Sequence, residues 1–514
     1  MNAHWTDGYV AELDYPHNYT ANLNPFRIGL PFLASGLAVP EVHNACELGY
    51  GQGLSLNIHA AAGTVHWHGT DFLPGHALHA QEMAKASGAQ AALVDQSFAE
   101  FCARDDLPDF DFIAMHGVWS WVSEENRNIL VDFLRRKLRV GGVVYFGYNT
   151  LPGWSDSVPL RELLVQHTQR LGGAGESLTD RMRGALDFAA KMVDASPALA
   201  RAQPLIAQTV AELKDYDSHY LAHEYLNGNW RPMFFSEMAA ALEPAKLTYV
   251  CSAHHEVERL SLTAAQQELL RDIHDPVLRE GMRDFCVNQR FRKDYWVKGA
   301  RRLSTLEQAQ ALREVRVVLQ TPREDVQRSV VTPRGELKFD TDVFVRLLDV
   351  LGDHAPRRLG EIERQLPGVA LPQLVEAVLV LVAANELAAV QPDAVAAVAK
   401  VQTDRLNLHL MRRALGNAQI KELASPLTGG GVALSRVEQL LLYASLDPSR
   451  QPDDLGPLVW QVLKPQNVKM LRDGKLLESE ADNLAELARA SRAFVGKRLP
   501  VLRALGVVPS VSKG

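Results

Sequence analysis

Between residues 44 and 149 the apolar positions fall in short runs separated by helical spacings. Asn44–Leu48 is a strand-like run that leads into glycines, and Leu54–Ala62 beyond it is rich in helix formers. Val65–Thr70 predicts a second strand, although "VHWHGT" is more polar than a strand buried on both faces. Gly75–Ser87 predicts a helix, Ala91–Val94 a third strand, and Asp111–His116 a fourth. Ser123–Arg139 predicts a long helix with Ser123 as its N-cap and basic residues in its last turn. Gly141–Asn149 opens on a turn and continues as a fifth strand. Alternation of strand and helix at this spacing predicts a parallel sheet covered on both faces.

After Trp154 the rhythm stops, and Pro159–Leu171, Leu178–Ala195 and Pro204–Leu213 predict helices. It resumes late. Ser236–Leu242 predicts a helix, Lys246–Ser252 a sixth strand beside the fifth, and Arg290–Gly299 a seventh, antiparallel strand nearby. Residues 155–232 are then a helical insertion over the C-terminal ends of the strands, where ligands of such sheets bind. Between 300 and 400, three helices and a β-like ending resemble a winged helix. Its third helix, around Val375–Val382, is apolar on nearly every face and lacks Arg and Lys, which suits packing better than DNA. Thr403–Gly514 is helix-rich. The glycines of Leu427–Val432 lack a following Lys-Ser/Thr, so they predict a loop and not a P-loop. The predicted division is a core at 1–154 with an N-terminal lid, an insertion at 155–232, a return to the sheet at 233–299, a winged-helix-like unit at 300–400 and a helical unit at 401–514.

Composition narrows the class. The 514 residues are 47% hydrophobic and 22% charged, with a net charge of −7, so no overall basic character points to a nucleic-acid partner. Arg290–Arg302 holds six basic residues and reads as a solvated strand edge. The four cysteines are scattered, which suits a reducing compartment and excludes a zinc knuckle. "MNAHWTDGYVAELDY" lacks the features of a signal peptide, and no uncharged run reaches the roughly 18–20 residues of a membrane span. A cytoplasmic location is expected. His219 and His223 lie four apart with Glu224 adjacent, but no third His or Cys falls at ligand spacing, so no metal is expected.

The chemistry concentrates in "ACELGYGQGLSLNIHAAA". Gly49, Gly51 and Gly53 are spaced G-x-G-x-G, and Glu47 stands just before them. A dinucleotide fingerprint would be G-x-G-x-x-G with pyrophosphate on the helix N-terminus. An acid at that point repels pyrophosphate and pairs with an ammonium. Asp71, ending the second strand, can hold ribose hydroxyls. S-adenosylmethionine has an ammonium, a ribose and no phosphate, and the pattern favours it.

Glu47-Leu48-Gly49-Tyr50-Gly51-Gln52-Gly53 resembles motif I of class I S-adenosylmethionine-dependent methyltransferases. Asp71 matches their second motif and "LVDQSFAEF" their third, with Ser97 where many members carry an Asp that contacts the adenine amine. The resemblance adds Phe72 and Phe98, beside Asp71 and Ser97, to the cofactor-contacting positions. Met115–Trp154 and "YLAHEYLNGNWRPMFF" resemble bacterial methyltransferases that carry a methyltransferase regulatory domain, among them the rickettsial-type protein lysine methyltransferases of outer-membrane protein. The resemblance implies a Rossmann-like seven-stranded sheet with one antiparallel strand and S-adenosylmethionine as cofactor. It also implies a protein substrate, such as an outer-membrane protein before export, and allows a homodimer.

Methyl transfer aligns donor and acceptor and needs a neutral nucleophile. The ends of the fourth and fifth strands offer His116, Trp119 and Trp121, then Tyr148, Asn149 and Trp154. Tyr148 hydroxyl or Asn149 carbonyl could orient an acceptor amine, Trp154 could wall its slot, and His116 could contact adenosine or accept a proton. Tyr15 and Tyr19, in the segment ahead of the first strand, fit a lid over the cofactor. Three functions stay open at this point: protein (lysine) methylation, small-molecule methylation, and a non-catalytic winged-helix regulator with a vestigial cofactor site.

Overall fold

The structure, a computed structural model, describes residues 8–510 apart from 11, 14, 174, 333, 334 and 340. After a short helix α1 (Gly29–Ala34), five parallel strands form the heart of the chain: β1 (Asn44–Leu48), β2 (His66–Thr70), β3 (Ala91–Val94), β4 (Phe110–His116) and β5 (Leu138–Asn149). Helices α2 (Leu54–Ala61), α3 (Pro74–Ser87), α4 (Phe98–Cys102) and α5 (Glu124–Lys137) connect them, and the spatial order is β3-β2-β1-β4-β5. The helix expected over Ser123–Arg139 starts as expected and ends two residues early, at Lys137, where β5 begins directly. Ser123 caps α5, accepting from the Asn126 N–H, and Arg135, Arg136 and Lys137 occupy its last turn.

Strand alternation sorts the two faces. Cys46, Leu48, Ile113, Met115, Phe146 and Tyr148 pack with Phe133 and Leu134 of α5. Ala45, Phe112, Ala114 and Tyr145 pack on the opposite face with Leu56 and Ala60 of α2 and Ala80 of α3. The order turns around between β1 and β4, the switch point at which a doubly wound sheet opens a crevice at its strand ends.

After β5 comes the expected helical excursion, α6 (Val158–Arg170), α7 (Leu178–Asp194), α8 (Pro197–Ala202), α9 (Ile206–Lys214) and α10 (Ser218–Tyr225). It has a core of its own, with Leu164, Met182, Leu186 and Val210 packed against Trp154. The chain returns through α11 (Phe235–Leu242) to β6 (Thr248–Ser252) and β7 (Phe291–Val297).

Here one expectation is corrected. β6 does not pair with β5; β7 lies between them, antiparallel to both, with Tyr295 opposite Tyr145 and Cys251. The side chains account for the order. Tyr295, Trp296 and Val297 are all buried, so β7 has apolar groups for both faces, whereas β6 begins exposed and suits an edge. The basic run is corrected with it. Arg292 is fully buried, bonded to Asp294 Oδ2 at 2.6 Å, Asp284 Oδ1 at 2.7 Å and Glu280 Oε2 at 3.0 Å.

Between 305 and 389, the strands Arg316–Leu319, Arg357–Arg358 and Leu387–Ala389 make a small antiparallel sheet beside helices Asp342–Val350, Leu359–Gln365 and Leu371–Ala383. The last helix buries Leu374, Val378 and Leu381, and Leu387–Ala389 runs on into helix Asp393–Ala414 with no second wing strand. The C-terminal helices share one core with Leu54 and Ile58 of α2 and Met83 of α3. The Gly-rich stretch turns a hairpin, Glu422–Ser425 with Gly430–Ala433. No helix among the described residues is long and apolar enough to cross a membrane.

Candidate active site

The glycine turn joins β1 to α2. Gly49, Gly51 and Gly53 all have left-handed backbone, with φ of 77°, 56° and 72°. A β-carbon on Gly49 would stand 2.6 Å from Val118 Cγ2, and one on Gly53 2.5 Å from Ala80 Cβ. Asp71 holds the turn, accepting from the Gly51 N–H at 2.9 Å and the Leu73 N–H at 3.1 Å, and it pairs with His76 Nδ1 at 3.1 Å.

A cavity of about 420 Å³ opens at these strand ends. Of the expected cofactor positions, Tyr15, Tyr19, Glu47, Gly49, Gly51, Asp71, Phe72, Ser97, Phe98 and His116 line it. Gly53 does not; it starts α2 with Ala80 against it. Glu47 is buried, and its Oε2 has no hydrogen-bond partner among the described residues. Burial, and then the nearby Asp71, push its pKa up to about 8. A buried carboxyl with an orphan oxygen, beside backbone that must stay bare, fits a ligand bearing an ammonium. That is the donor set that S-adenosylmethionine calls for.

Ser97 faces the cavity, but its hydroxyl is committed. It donates to Glu100 Oε2 at 2.8 Å within a capping box that starts α4. Tyr19 is committed as well, accepting from the Gly431 N–H at 2.7 Å and pairing with His59 Nε2 at 3.1 Å. His116 pairs with the Tyr145 hydroxyl at 3.0 Å, and burial, with Lys293 adding to it, holds its pKa down to about 3. Its ring is thus a neutral wall of the cavity near neutral pH. Residues of the segment ahead of β1, among them Tyr15, Asn18 and Thr20, line the cavity. The Tyr15 carbonyl accepts from Gln52 Nε2 at 3.2 Å, and the Val10 N–H donates to Asn227 Oδ1 at 2.8 Å.

A second chamber of about 320 Å³ adjoins the first, and Tyr9, Tyr15, His116, Gly117 and Trp121 line both. Asn149 and Trp154 face this chamber. Asn149 Nδ2 is buried without a partner among the described residues, and Arg290 lies 4.5 Å over the Trp154 ring. Tyr148, expected beside Asn149, is corrected. Alternation turns it to the α5 face, where its hydroxyl donates to Asp294 Oδ2 at 3.0 Å, and it reaches neither cavity.

Sequence reasoning missed Glu224 as a wall of this chamber. In the sequence its position beside His219 and His223 marks it only as a neighbour of two possible metal ligands. Glu224 forms no hydrogen bond or ion pair with any described residue, and burial pushes its pKa up to about 7. The signal was present in the H-E-Y-L-N run of α10, but only the fold shows that this helix reaches the ends of β4 and β5.

Comparisons with known proteins agree with this architecture. A family model described as a predicted methyltransferase regulatory domain matches residues 217–298, a span that runs from α10 through β7. PKMT2 from Rickettsia typhi, solved in complex with AdoHcy, is 17% identical and superposes with a TM-score of 0.67 over 96% of this chain and 99% of that one. The uncharacterized protein RP789 of Rickettsia prowazekii is 28% identical over 286 residues, 54% of this chain and 50% of its own. The uncharacterized protein sll1526 of Synechocystis sp. is 35% identical over 513 residues, 98% of this chain and 99% of its own. The chain thus belongs to the family of the Synechocystis protein, and it has the class I methyltransferase fold with a methyltransferase regulatory domain built into its sheet.

Proposed function

We propose that this chain transfers the methyl group of S-adenosylmethionine to lysine side chains of a protein substrate. When bound, S-adenosylmethionine supplies an electrophilic methyl on a sulfonium. Glu47 receives the ligand's ammonium, Asp71 its ribose hydroxyls, and the bare glycine backbone lets it approach. The PKMT2 structure with AdoHcy, the product left by methyl donation, supports a ligand of this class in this fold.

The observation that carries the acceptor is the second chamber, aromatic-walled and bearing Glu224. An ordinary lysine, with a pKa of about 10.4, is neutral in roughly one molecule in a thousand near pH 7.4. Tyr9, Tyr15, Trp121 and Trp154 desolvate an entering ammonium and lower its pKa, while their faces attract a cation. Glu224, titrating at about 7, draws the ammonium in and takes its proton. The Asn149 amide then holds the neutral nitrogen in line.

The test uses tritiated methyl donor, the purified chain, and cell proteins with free or acetylated lysines. Label is expected on lysine, found by peptide mass spectrometry and lost on acetylation. Glu224→Gln should lower turnover about ten- to a hundredfold with AdoHcy affinity retained. Label confined to small molecules, to other side chains, or absent altogether would overturn the reading.

A further inference from the structure

A third cavity, of about 360 Å³, lies where the N-terminal segment, the sheet, the 305–389 unit and the C-terminal hairpin meet. It stands back to back with the cofactor cavity, and Tyr19, Thr20 and His116 line both. Its charge is one-sided: Arg27, Lys293 and Arg498 face it, against the single carboxyl of Glu422. Arg498 is occupied, donating to the carbonyls of Gln320 and Ala433 at 2.8 Å each, with Glu438 3.8 Å away. Arg27 donates to the Val382 carbonyl at 3.0 Å and to Asn385 Oδ1 at 3.3 Å, both neutral. Neither Arg27 nor Lys293 has a carboxylate within ion-pair distance among the described residues, and the Lys293 ammonium has no hydrogen-bond partner there, although its carbonyl accepts from Ala253 and Ser252.

Two further observations point into the same space. Thr428 Oγ1, on the C-terminal hairpin, is buried with no partner among the described residues. Burial, and then Arg27, pull the Lys293 pKa below the ordinary lysine value against a smaller opposing pull from Glu258, so Lys293 is a desolvated cation with Arg27 close enough to repel it. The histidines of the cavity add no charge, since burial holds His116 at about 3 and His254 at about 4. Part-buried cations without a counter-charge destabilise a fold unless something compensates them.

We propose that this cavity binds a small, multiply charged anion, a compound bearing phosphate or carboxylate groups, held by Arg27, Lys293 and Thr428. The cations supply the charge, the Thr428 hydroxyl a directed donor, and the volume admits a molecule well beyond a single phosphate. The cavity is walled off by the residues that roof the cofactor site, which makes it an effector site rather than part of the methyl-transfer path. The proposal does not depend on the acceptor being lysine.

The experiment is a thermal melt of the full chain, without cofactor, titrated with inorganic pyrophosphate and, separately, with citrate. Sodium chloride at matched ionic strength is the control. A saturable rise of about 2 °C or more is expected with at least one anion. Pyrophosphate alone marks a phosphate-bearing ligand, and citrate alone a carboxylate-bearing one. Lys293→Met should remove the rise and, by deleting a part-buried cation that has no ion-pair partner among the described residues, should melt no lower than the unmodified chain when anion is absent. Arg27→Gln should also remove the rise, and it keeps the test valid if the first variant folds poorly. A rise that persists in both variants, one matched by sodium chloride, or none with either anion would overturn the proposal.

Discussion

Glu47 and Glu224 are carboxyls whose pKa values burial has pushed up to about 8 and about 7. In an unfolded chain each would titrate near 4.3. Between that value and the folded one, the native state keeps a proton that the unfolded state has lost. Stability from these groups is therefore full below about pH 4 and is lost as pH rises toward 8. The limiting slope is about 1.4 kcal/mol per pH unit for each proton. Glu47→Gln should flatten the fall measured by urea unfolding between pH 5 and pH 8 without cofactor. The same variant should bind S-adenosylmethionine at least tenfold more weakly, because the ammonium needs the carboxylate. Binding to the unmodified chain near pH 7 should release a proton, seen as calorimetric heats that depend on the buffer's ionisation enthalpy. Equal pH slopes in the two proteins, or buffer-independent heats, would remove Glu47 from this role. The glycine turn and the acid before it were legible because an acid next to alternating glycines is a local pattern. The place of Glu224 was not, since Tyr9, Trp121 and Asn149, which share the chamber wall with it, come from distant parts of the chain.

At the scale of elements, β7 explains both what sequence rhythm found and what it lost. Strand-helix alternation placed β1 to β4 to within a residue at each end and missed the first three residues of β5, because most of these strands are short runs bounded by turns or caps, whereas β5 continues straight out of α5. It also found β6 and β7, but not their order, which depends on which strand can be buried on both faces. Nor could charge counting reveal that Arg292 lies inside, ringed by Asp284, Asp294 and Glu280 and stacked 4.3 Å over Phe235. Tyr148 belongs to that ring through Asp294. Tyr148→Phe deletes one buried hydrogen bond to a charged group, which costs about 1.5–3 kcal/mol of stability. AdoHcy affinity and methylation rate on the remaining folded protein should be unchanged. A variant that melts normally but turns over more slowly would return Tyr148 to the acceptor site. Asn149, one residue on, has the opposite expectation, since alternation turns its amide to the chamber.

Across the whole molecule, the segment between residues 8 and 28 ties the parts together. The Gly8 carbonyl accepts from the Gly228 N–H at 2.7 Å, the Thr20 N–H donates to Ser55 Oγ at 2.8 Å, and Asn24 Nδ2 donates to the Gly429 carbonyl at 2.7 Å. One strap thus touches the regulatory domain, α2 and the C-terminal hairpin while it lines the cavity at the glycine turn. Tyr19 sits at its centre, with its ring against Gly431, where a β-carbon would come within 2.9 Å of Cζ. The expectation of a lid came from its aromatic and turn-forming residues. The segment's grip on a hairpin some 400 positions away was not legible, because no local pattern encodes that contact. The geometry makes the C-terminal unit a support for the cofactor roof, so a change at the hairpin should be felt in the cavity. Tyr19→Phe keeps the ring and removes the hydroxyl that accepts from Gly431 and pairs with His59, at a cost of about 1–3 kcal/mol. Amide hydrogen exchange should speed up in both the hairpin at 422–433 and the strap at 15–24, and AdoHcy should bind several-fold more weakly. Because the coupling is reciprocal, adding AdoHcy to the unmodified chain should slow exchange in the hairpin. Faster exchange in the hairpin alone, with AdoHcy affinity intact, would show that the C-terminal unit merely packs beside the site and does not hold its roof.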